Sequence, residues 1–322
     1  MNQKVVVFSQ IDPDILARLQ AQYQVVQINP KLGDVNQQIS AAVQDADGMI
    51  GAGRVLNAST LATAKKLKII SSVSVGYDNY DLAYLNQQKI WLANTPYVLT
   101  ETTADLAFTL LMSAARQVPR LDQWTKTGQW QRTVGAAQFG VDVFGKTLGI
   151  IGLGTIGAAI ARRGFHGFNM NILYHNRQEK PEVAEAFNAQ YCSLNTLLQQ
   201  SDFVVVAVDL NADSQALIAA AELAQMQAHA VLVNISRGSV IDENALIEAL
   251  KSQQIFAAGL DVYQKEPLQS SELFQLDRVV TLPHVGSATA ATRKKMAELA
   301  YKNLVDGLDG RKPRTLVNPS FG

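Results

Sequence analysis

Residues 147–177 read TLGIIGLGTIGAAIARRGFHGFNMNILYHNR. An apolar run at 148–151 leads into Gly152-Leu153-Gly154-Thr155-Ile156-Gly157. A helix-like stretch and a second apolar run at 172–174 follow. Strand, glycine-rich turn, helix, strand is the context in which G-x-G-x-x-G signifies dinucleotide binding. Each glycine has a mechanical task. Gly152 permits the tight turn, Gly154 lets backbone approach a pyrophosphate, and Gly157 lets helix and strand pack closely. Thr155 and Ile156 lie at the helix N-terminus, which offers free N–H groups and a partial positive charge to phosphate.

The end of the second strand bears on which dinucleotide is used. An NAD site usually carries Asp or Glu there, accepting hydrogen bonds from the ribose hydroxyls. This chain has His175-Asn176-Arg177. No carboxylate stands there to repel a 2′-phosphate, and Arg177 can pair with one in a charge-assisted fork. NADP(H) is therefore the expected cofactor. NAD(H) is the alternative if Arg177 is only a solvated loop residue.

A chain of 322 residues suggests about two domains, and 48% hydrophobic residues suffice for sizeable cores. The net charge is zero and the pI about 6.9. That balance argues against a nucleic-acid partner. The single cysteine, Cys192, excludes an intrachain disulfide and fits a reducing cytoplasm. It reads as a small apolar residue at a strand start rather than a nucleophile. The N-terminal MNQKVVVFSQ enters a strand at once and has no signal-peptide pattern. The longest apolar stretch, 106–115, is bounded by Asp105 and Arg116 and is too short to span a membrane. Asn57-Ala58-Ser59 matches a glycosylation acceptor and is taken as chance.

Short apolar runs alternate with helical patterns through the first third: strands at 5–9, 23–28, 48–50, 69–72 and 90–93, helices at 13–22, 39–43 and 59–66. Asp12 and Pro13 read as cap and first position of the helix at 13–22. Such alternation implies a parallel sheet. A long helix at 100–118 ends near Pro119. The pattern restarts at 147 and adds strands at 203–208, 230–234, 257–260 and 279–281, with a helix at 243–252. An amphipathic helix closes the chain at 289–310. Only the second α/β unit has the phosphate turn. The expected fold is thus two Rossmann-like or flavodoxin-like doubly wound parallel-sheet domains with an interdomain cleft, a common place for ligand sites.

Hydride transfer to a 2-keto acid needs donors for the carboxylate and ketone, a general acid, and a group that keeps that acid charged. One coherent set lies just beyond the apolar runs, where parallel sheets bind ligands. Arg237 follows the strand at 230–234, and its guanidinium can grip a carboxylate and a keto oxygen in a fork. Asp261 follows 257–260 and can accept from a nicotinamide amide; otherwise it is a turn residue. His284, flanked by Pro283 and followed by Gly286, is the one histidine of four in a strand-end setting suited to proton donation. His166 and His229 read as structural or surface residues, and His175 as a cofactor neighbour. Glu266 lies in a loop; if it reaches His284, its charge stabilises the imidazolium. No His-x-x-x-His, Cys-x-x-Cys or carboxylate cluster is present, so no metal is expected. Val75 and Gly76 follow a strand, where their N–H groups can form an anion nest or simply a turn.

SVGYDNYD (74–81), NTPYVLTETTADLAF (94–108), GIIGLGTIG (149–157), NISRGSVIDENAL (234–246), AAGLDV (257–262), KEP (265–267) and PHVGSAT (283–289) together resemble the D-isomer-specific 2-hydroxyacid dehydrogenase family over nearly the whole chain. HGFNMNILYHNR (166–177) and YCSLNTLLQQSDFV (191–204) are most similar to its glyoxylate/hydroxypyruvate reductase branch, which also reduces 2-ketogluconate. The resemblance implies reduction of small 2-keto acids to D-2-hydroxy acids, with a catalytic trio of Arg237, Glu266 and His284. It implies an Asp261 contact to nicotinamide, further cofactor contacts at Ile235, Ser236 and Gly286, and carboxylate binding by the backbone at Val75–Gly76. It also implies a homodimer, to which the lone cysteine, the charge balance and the short apolar stretches add a cytoplasmic setting without nucleic-acid or membrane partner. A discontinuous substrate domain, 1–98 plus 287–322, would flank a dinucleotide domain at 99–286. Two positions depart from the pattern: Thr155 stands where Arg is common, and Asp209 places a carboxylate after the strand at 203–208. A dinucleotide-sensing corepressor-like protein on the same fold and a short phosphoglycerate dehydrogenase are the alternative readings.

Overall fold

The computed structural model describes residues 3–318. Residues 1, 2 and 319–322, which fall within the expected domain boundaries, lie outside the described residues. The chain folds into two compact units, Met1–Leu99 with Ala288–Gly322 and Thr100–Ser287.

The first unit carries five parallel strands, β1 (Lys4–Val7), β2 (Gln24–Gln27), β3 (Gly48–Gly51), β4 (Ile69–Ser72) and β5 (Trp91–Ala93), in the order β2-β1-β3-β4-β5. That is the flavodoxin-like doubly wound order. β3 and β4 are buried at every residue, as parallel strands covered on both faces must be. Helix Pro13–Gln22 starts where its cap signal places it: the Asp12 carboxylate accepts from the N–H groups of Asp14 and Ile15, and Ile15 and Leu19 face the core. Helix Ala290–Leu308, capped by Thr289, returns to this sheet. It lies close because two of the contact residues are glycines. A Cβ on Gly307 would fall 2.4 Å from Ile69 Cδ1, and one on Gly48 would fall 2.8 Å from Leu304 Cδ1. The helix expected at 59–66 is a single turn, Ala58–Leu61, after which the Ala64 N–H closes a turn on the Leu61 carbonyl oxygen instead of continuing the helix. Asn57 caps that turn, accepting from Ser59 and Thr60.

The second unit carries seven parallel strands: β6 (Thr147–Ile151), β7 (Asn171–His175), β8 (Gln190–Tyr191), β9 (Phe203–Val206), β10 (Val231–Asn234), β11 (Ala257–Leu260) and β12 (Val279–Thr281). Their order is β12-β11-β10-β9-β6-β7-β8. The order reverses between β6 and β9, which makes the carboxyl ends of those strands the topological switch point. One apolar core fills each face of the sheet. The helix expected to run from 100 to 118 stops at Ala115. Gln117 takes a left-handed conformation (φ 53°), and a second helix, Val118–Lys126, begins with Pro119 in its first turn. Proline is well tolerated there, where its missing N–H costs nothing. The two-residue β8 has exposed side chains and no apolar signature, so its sequence did not announce it. Cys192 therefore follows a strand rather than beginning one, its N–H donating to the Tyr174 carbonyl oxygen. Among the described residues no helix is long and apolar enough to cross a membrane.

Candidate active site

The glycine loop sits at the switch point of the seven-stranded sheet. Gly152 has φ 104°, and a Cβ there would lie 2.5 Å from the Ala207 carbonyl oxygen, just past β9. A Cβ on Gly157 would lie 2.1 Å from the Gly152 carbonyl oxygen, so only glycine lets helix Thr155–Phe168 start this close to β6. Gly154 differs from both. It is the N-cap of that helix, no side chain caps the helix start, and the space beside its Cα is open. First-turn N–H groups without a side-chain acceptor, next to an open backbone, fit a pyrophosphate.

The end of β7 is tied to this loop. The Asn176 side-chain oxygen accepts from the Leu153 N–H at 2.7 Å. Tyr191 of β8 donates its hydroxyl to the Asn176 carbonyl oxygen at 3.1 Å and stacks on the His175 ring. His175 Nδ1 lies 3.0 Å from the Cys192 carbonyl oxygen. Arg177 is 80% exposed, and its ion pair with Asp213 is long, at 3.7 Å. Asp209 is exposed, with its carbonyl oxygen accepting from the Ser214 hydroxyl.

Beyond β10 the chain makes a tight turn organised by Asn234, which is 1% exposed. Its Oδ1 accepts from both the N–H and the hydroxyl of Ser236, and its Nδ2 donates to the Arg237 carbonyl oxygen. Ile235 and Ser236 are buried within this turn, and Arg237 emerges from it half-buried, donating to the Ser236 carbonyl oxygen. The next residue must be glycine: a Cβ on Gly238 would lie 1.8 Å from the Tyr263 carbonyl carbon. The Arg237 turn is thereby pressed against the segment that carries Glu266.

His284 Nδ1 stands 2.6 Å from Glu266 Oε2. The other carboxylate oxygen accepts from the Tyr263 N–H at 3.0 Å. Burial pushes the Glu266 carboxyl up. The hydrogen bonds from His284 and Tyr263, with the charges of His284 and Arg237, outweigh this and hold it below the ordinary glutamate value. Asp261, 1% exposed, shows the reverse balance. Its oxygens accept from the Val285 and Gly286 N–H groups at 2.7 and 2.8 Å, yet burial holds its carboxyl above the ordinary value. Gly286 is held from a second side by Thr103, whose hydroxyl donates to its carbonyl oxygen.

Arg237, Asp261, Glu266, His284 and the glycine loop thus belong to one unit. Glu266 and His284 are in direct contact, and the Arg237 charge acts on Glu266. Val75 and Gly76 belong to the five-stranded unit, where they follow β4. Their carbonyl oxygens are held by Asn94 Nδ2 and the Ser74 hydroxyl, each at 2.8 Å. Of the other histidines, His229 pairs with Asp202 at 2.7 Å and His166 packs edge-on against Phe165 and Phe187. Sequence reasoning did not single out Asn234, Tyr263 or Thr103. Only Asn234 left a trace, as a polar residue closing a wholly apolar strand.

The sequence profile of the D-isomer specific 2-hydroxyacid dehydrogenase NAD binding domain matches residues 108–286. The chain belongs to this family. A glyoxylate/hydroxypyruvate reductase B of Citrobacter koseri is 44% identical over 320 residues, covering 99% of both chains. That of Escherichia coli K12 is 43% identical with the same coverage. Among solved structures, the NADPH-dependent glyoxylate/hydroxypyruvate reductase of Sinorhizobium meliloti, in complex with NADP and malonate, superposes with TM-score 0.87. It shares 32% identity, covering 98% of this chain and 97% of that one. The TT0316 protein of Thermus thermophilus also gives TM-score 0.87, at 35% identity over 98% of this chain and all of the other. In this 2-hydroxyacid dehydrogenase the two parallel-sheet units and the switch-point glycine loop are therefore the family's architecture.

Proposed function

We propose that this dehydrogenase reduces small 2-keto acids, glyoxylate and hydroxypyruvate foremost and 2-ketogluconate as a further candidate, to D-2-hydroxy acids, with NADPH preferred over NADH. The observation that carries the reading is the 2.6 Å contact between His284 Nδ1 and Glu266, in the unit that bears the phosphate loop. With Nδ1 engaged by the carboxylate, Nε2 is the nitrogen left to donate a proton to the substrate oxygen. Glu266 orients the ring through Nδ1, and Arg237 binds the substrate carboxylate and polarises its ketone. The N–H groups of Val75 and Gly76 hold the carboxylate as a backbone nest. When bound, the reduced cofactor would supply the hydride taken up at the substrate carbonyl carbon.

Gly152, Gly154, Thr155, Ile156 and Gly157 would hold the pyrophosphate. Ile235, Ser236, Asp261 and Gly286 would line the nicotinamide end, and His175, Asn176 and Arg177 the adenosine end. The preference for NADPH rests on the lack of a carboxylate in His175-Asn176-Arg177, where NAD sites usually carry an acid, and on the exposed guanidinium of Arg177. It is supported by the NADPH dependence of the Sinorhizobium relative. A cytoplasmic homodimer completes the reading, by family resemblance and the lone cysteine. Initial rates with glyoxylate, hydroxypyruvate, 2-ketogluconate, pyruvate and phosphohydroxypyruvate, each with NADH and NADPH, test it. Turnover of none of the five removes the proposed activity, and a clear NADH preference removes the role of Arg177.

A further inference from the structure

We propose that Tyr263 is a positioning residue that holds both members of the His284–Glu266 pair in place. The inference rests on the reading of His284 as proton donor. Its starting point is backbone conformation. His284 has φ 54°, in the left-handed region that non-glycine residues seldom occupy. Such a conformation persists only where the surroundings over-determine it.

Both flanks of His284 are fixed, and both anchors come from the segment that ends in Glu266. On one side, the Leu282 carbonyl oxygen accepts from the Tyr263 hydroxyl at 2.9 Å. On the other, the Val285 and Gly286 N–H groups are taken by Asp261. Tyr263 also acts on the partner carboxylate. Its N–H binds Glu266 Oε1, which directs Oε2 to His284. The ring is 7% exposed, packed in the core with Leu260 and Leu273, and its hydroxyl reaches the Leu260 carbonyl oxygen at 3.2 Å as well. Burial pushes the phenol up to about 12, so the hydroxyl stays a donor across the working pH range. One buried side chain thereby bridges the ends of β11 and β12 while its backbone orients the carboxylate between them.

Tyr263→Phe removes the hydroxyl and keeps the ring that fills the core. Losing one buried hydrogen bond from the support of the pair is expected to lower kcat about three- to tenfold. The KM for NADPH should change by less than about twofold, since the hydroxyl's hydrogen bonds go to the Leu260 and Leu282 carbonyl oxygens and not to the proposed cofactor contacts. The acid limb of the kcat–pH profile should rise toward the ordinary glutamate range as the His284–Glu266 bond loosens. In a Glu266→Gln background, Tyr263→Phe should cost less than it does alone, because both changes act on one pair. Independent effects that simply multiply would overturn the proposal. A second readout needs no turnover: the downfield proton resonance of the His284 Nδ1–H bonded to Glu266. It should be present in the parent, absent in His284→Ala, and shifted upfield or broadened in Tyr263→Phe. An unchanged resonance in Tyr263→Phe overturns the positioning role even if the protein reduces no 2-keto acid. Failure of turnover with the resonance shifted would instead remove the proposed activity alone. A melting curve on each variant confirms that the readings come from folded protein.

Discussion

Glu266→Gln isolates the charge of the pair from its shape. The amide has the volume of the carboxylate, and its oxygen can still accept from the Tyr263 N–H, which now lies 3.0 Å from Oε1. What disappears is the anion 2.6 Å from His284 Nδ1. A hydrogen bond between charged groups contributes about 1.5–3 kcal/mol net. The His284 and Glu266 side chains are 48% and 33% exposed, so water screens them and the lower end applies. About 1.5 kcal/mol less stabilisation of the charged ring is on the order of a tenfold fall in kcat. The pH profile adds an independent signature. Glu266 is held below the ordinary glutamate value, chiefly against the upward push of burial, by its bonds from His284 and Tyr263. A group depressed in this way contributes above its unfolded value, and its contribution is lost as pH falls through the folded value. The parent should therefore keep its pair intact as pH drops through about 4.3, the ordinary glutamate value, with the acid limb of kcat lying lower still. The variant has no carboxylate to protonate and should lack that limb. Steady-state NADPH oxidation with saturating glyoxylate, measured across the acid range, reads both effects. A variant with full kcat and the parent's acid limb would refute the reasoning.

Further predictions concern the proton donor, the phosphate turn and the cofactor preference. His284→Ala should lower kcat by roughly 10²–10⁴, with NADPH affinity measured by fluorescence titration nearly unchanged; undiminished turnover would remove His284 from the mechanism. Gly154→Ala and Gly157→Ala should part company. The first meets open space and should melt like the parent while binding NADPH more weakly, whereas the second sets a methyl 2.1 Å from a backbone oxygen and should lose both stability and binding. Calorimetry with a binding titration separates them, and equal melting temperatures would contradict the packing argument. Arg177→Ala should raise KM for NADPH about five- to tenfold and leave NADH nearly unaffected, as one exposed charge-assisted bond to phosphate is lost; equal loss with both cofactors would count against 2′-phosphate recognition.

The parts of the fold that were legible in the sequence are those governed by short-range rules. The strand–glycine–helix segment at 147–177 fixed the switch point because its glycines answer to local sterics: Gly152 needs positive φ, and Gly157 needs backbone contact. Helix Pro13–Gln22 was legible from a cap and a proline. The helix at 100–118 misled because Pro119 is equally good as a stop signal and as a first-turn residue. The deciding feature is the left-handed Gln117, whose side chain donates to the distant Phe139 carbonyl oxygen and accepts from Arg120. β8 was invisible because both of its residues are exposed and pair only with β7. At the site, Arg237, Asp261 and His284 stood out by residue type at strand ends, whereas Glu266, an ordinary loop charge by itself, was marked only by the family resemblance. Tyr263 did not stand out, since a tyrosine after an apolar strand is ordinary until Leu282, brought beside it by β11–β12 pairing, supplies its acceptor.

The same pairing explains why two carboxylates in one short segment behave oppositely. Asp261 follows β11 and is buried, and its hydrogen bonds come from neutral backbone N–H groups; burial, with the Glu266 charge beside it, outweighs those bonds and the His284 charge, so its carboxyl is pushed up. Glu266 lies farther along, where the chain has left the sheet and water reaches it, and its partners include the His284 ring and the Arg237 charge. Neutral dipoles satisfy a carboxylate without offsetting the whole cost of burying its charge, whereas cations favour the charged form directly. Depth in the sheet thus assigns the tasks. The deeper acid suits holding a loop in one conformation, because its bonds run to main chain that cannot rotate away. The shallower one suits stabilising a charge that comes and goes with the proton on His284. Interchanging the two tasks would put a titrating pair in the core and a fixed clamp in solvent, and each would then be the weaker for its surroundings.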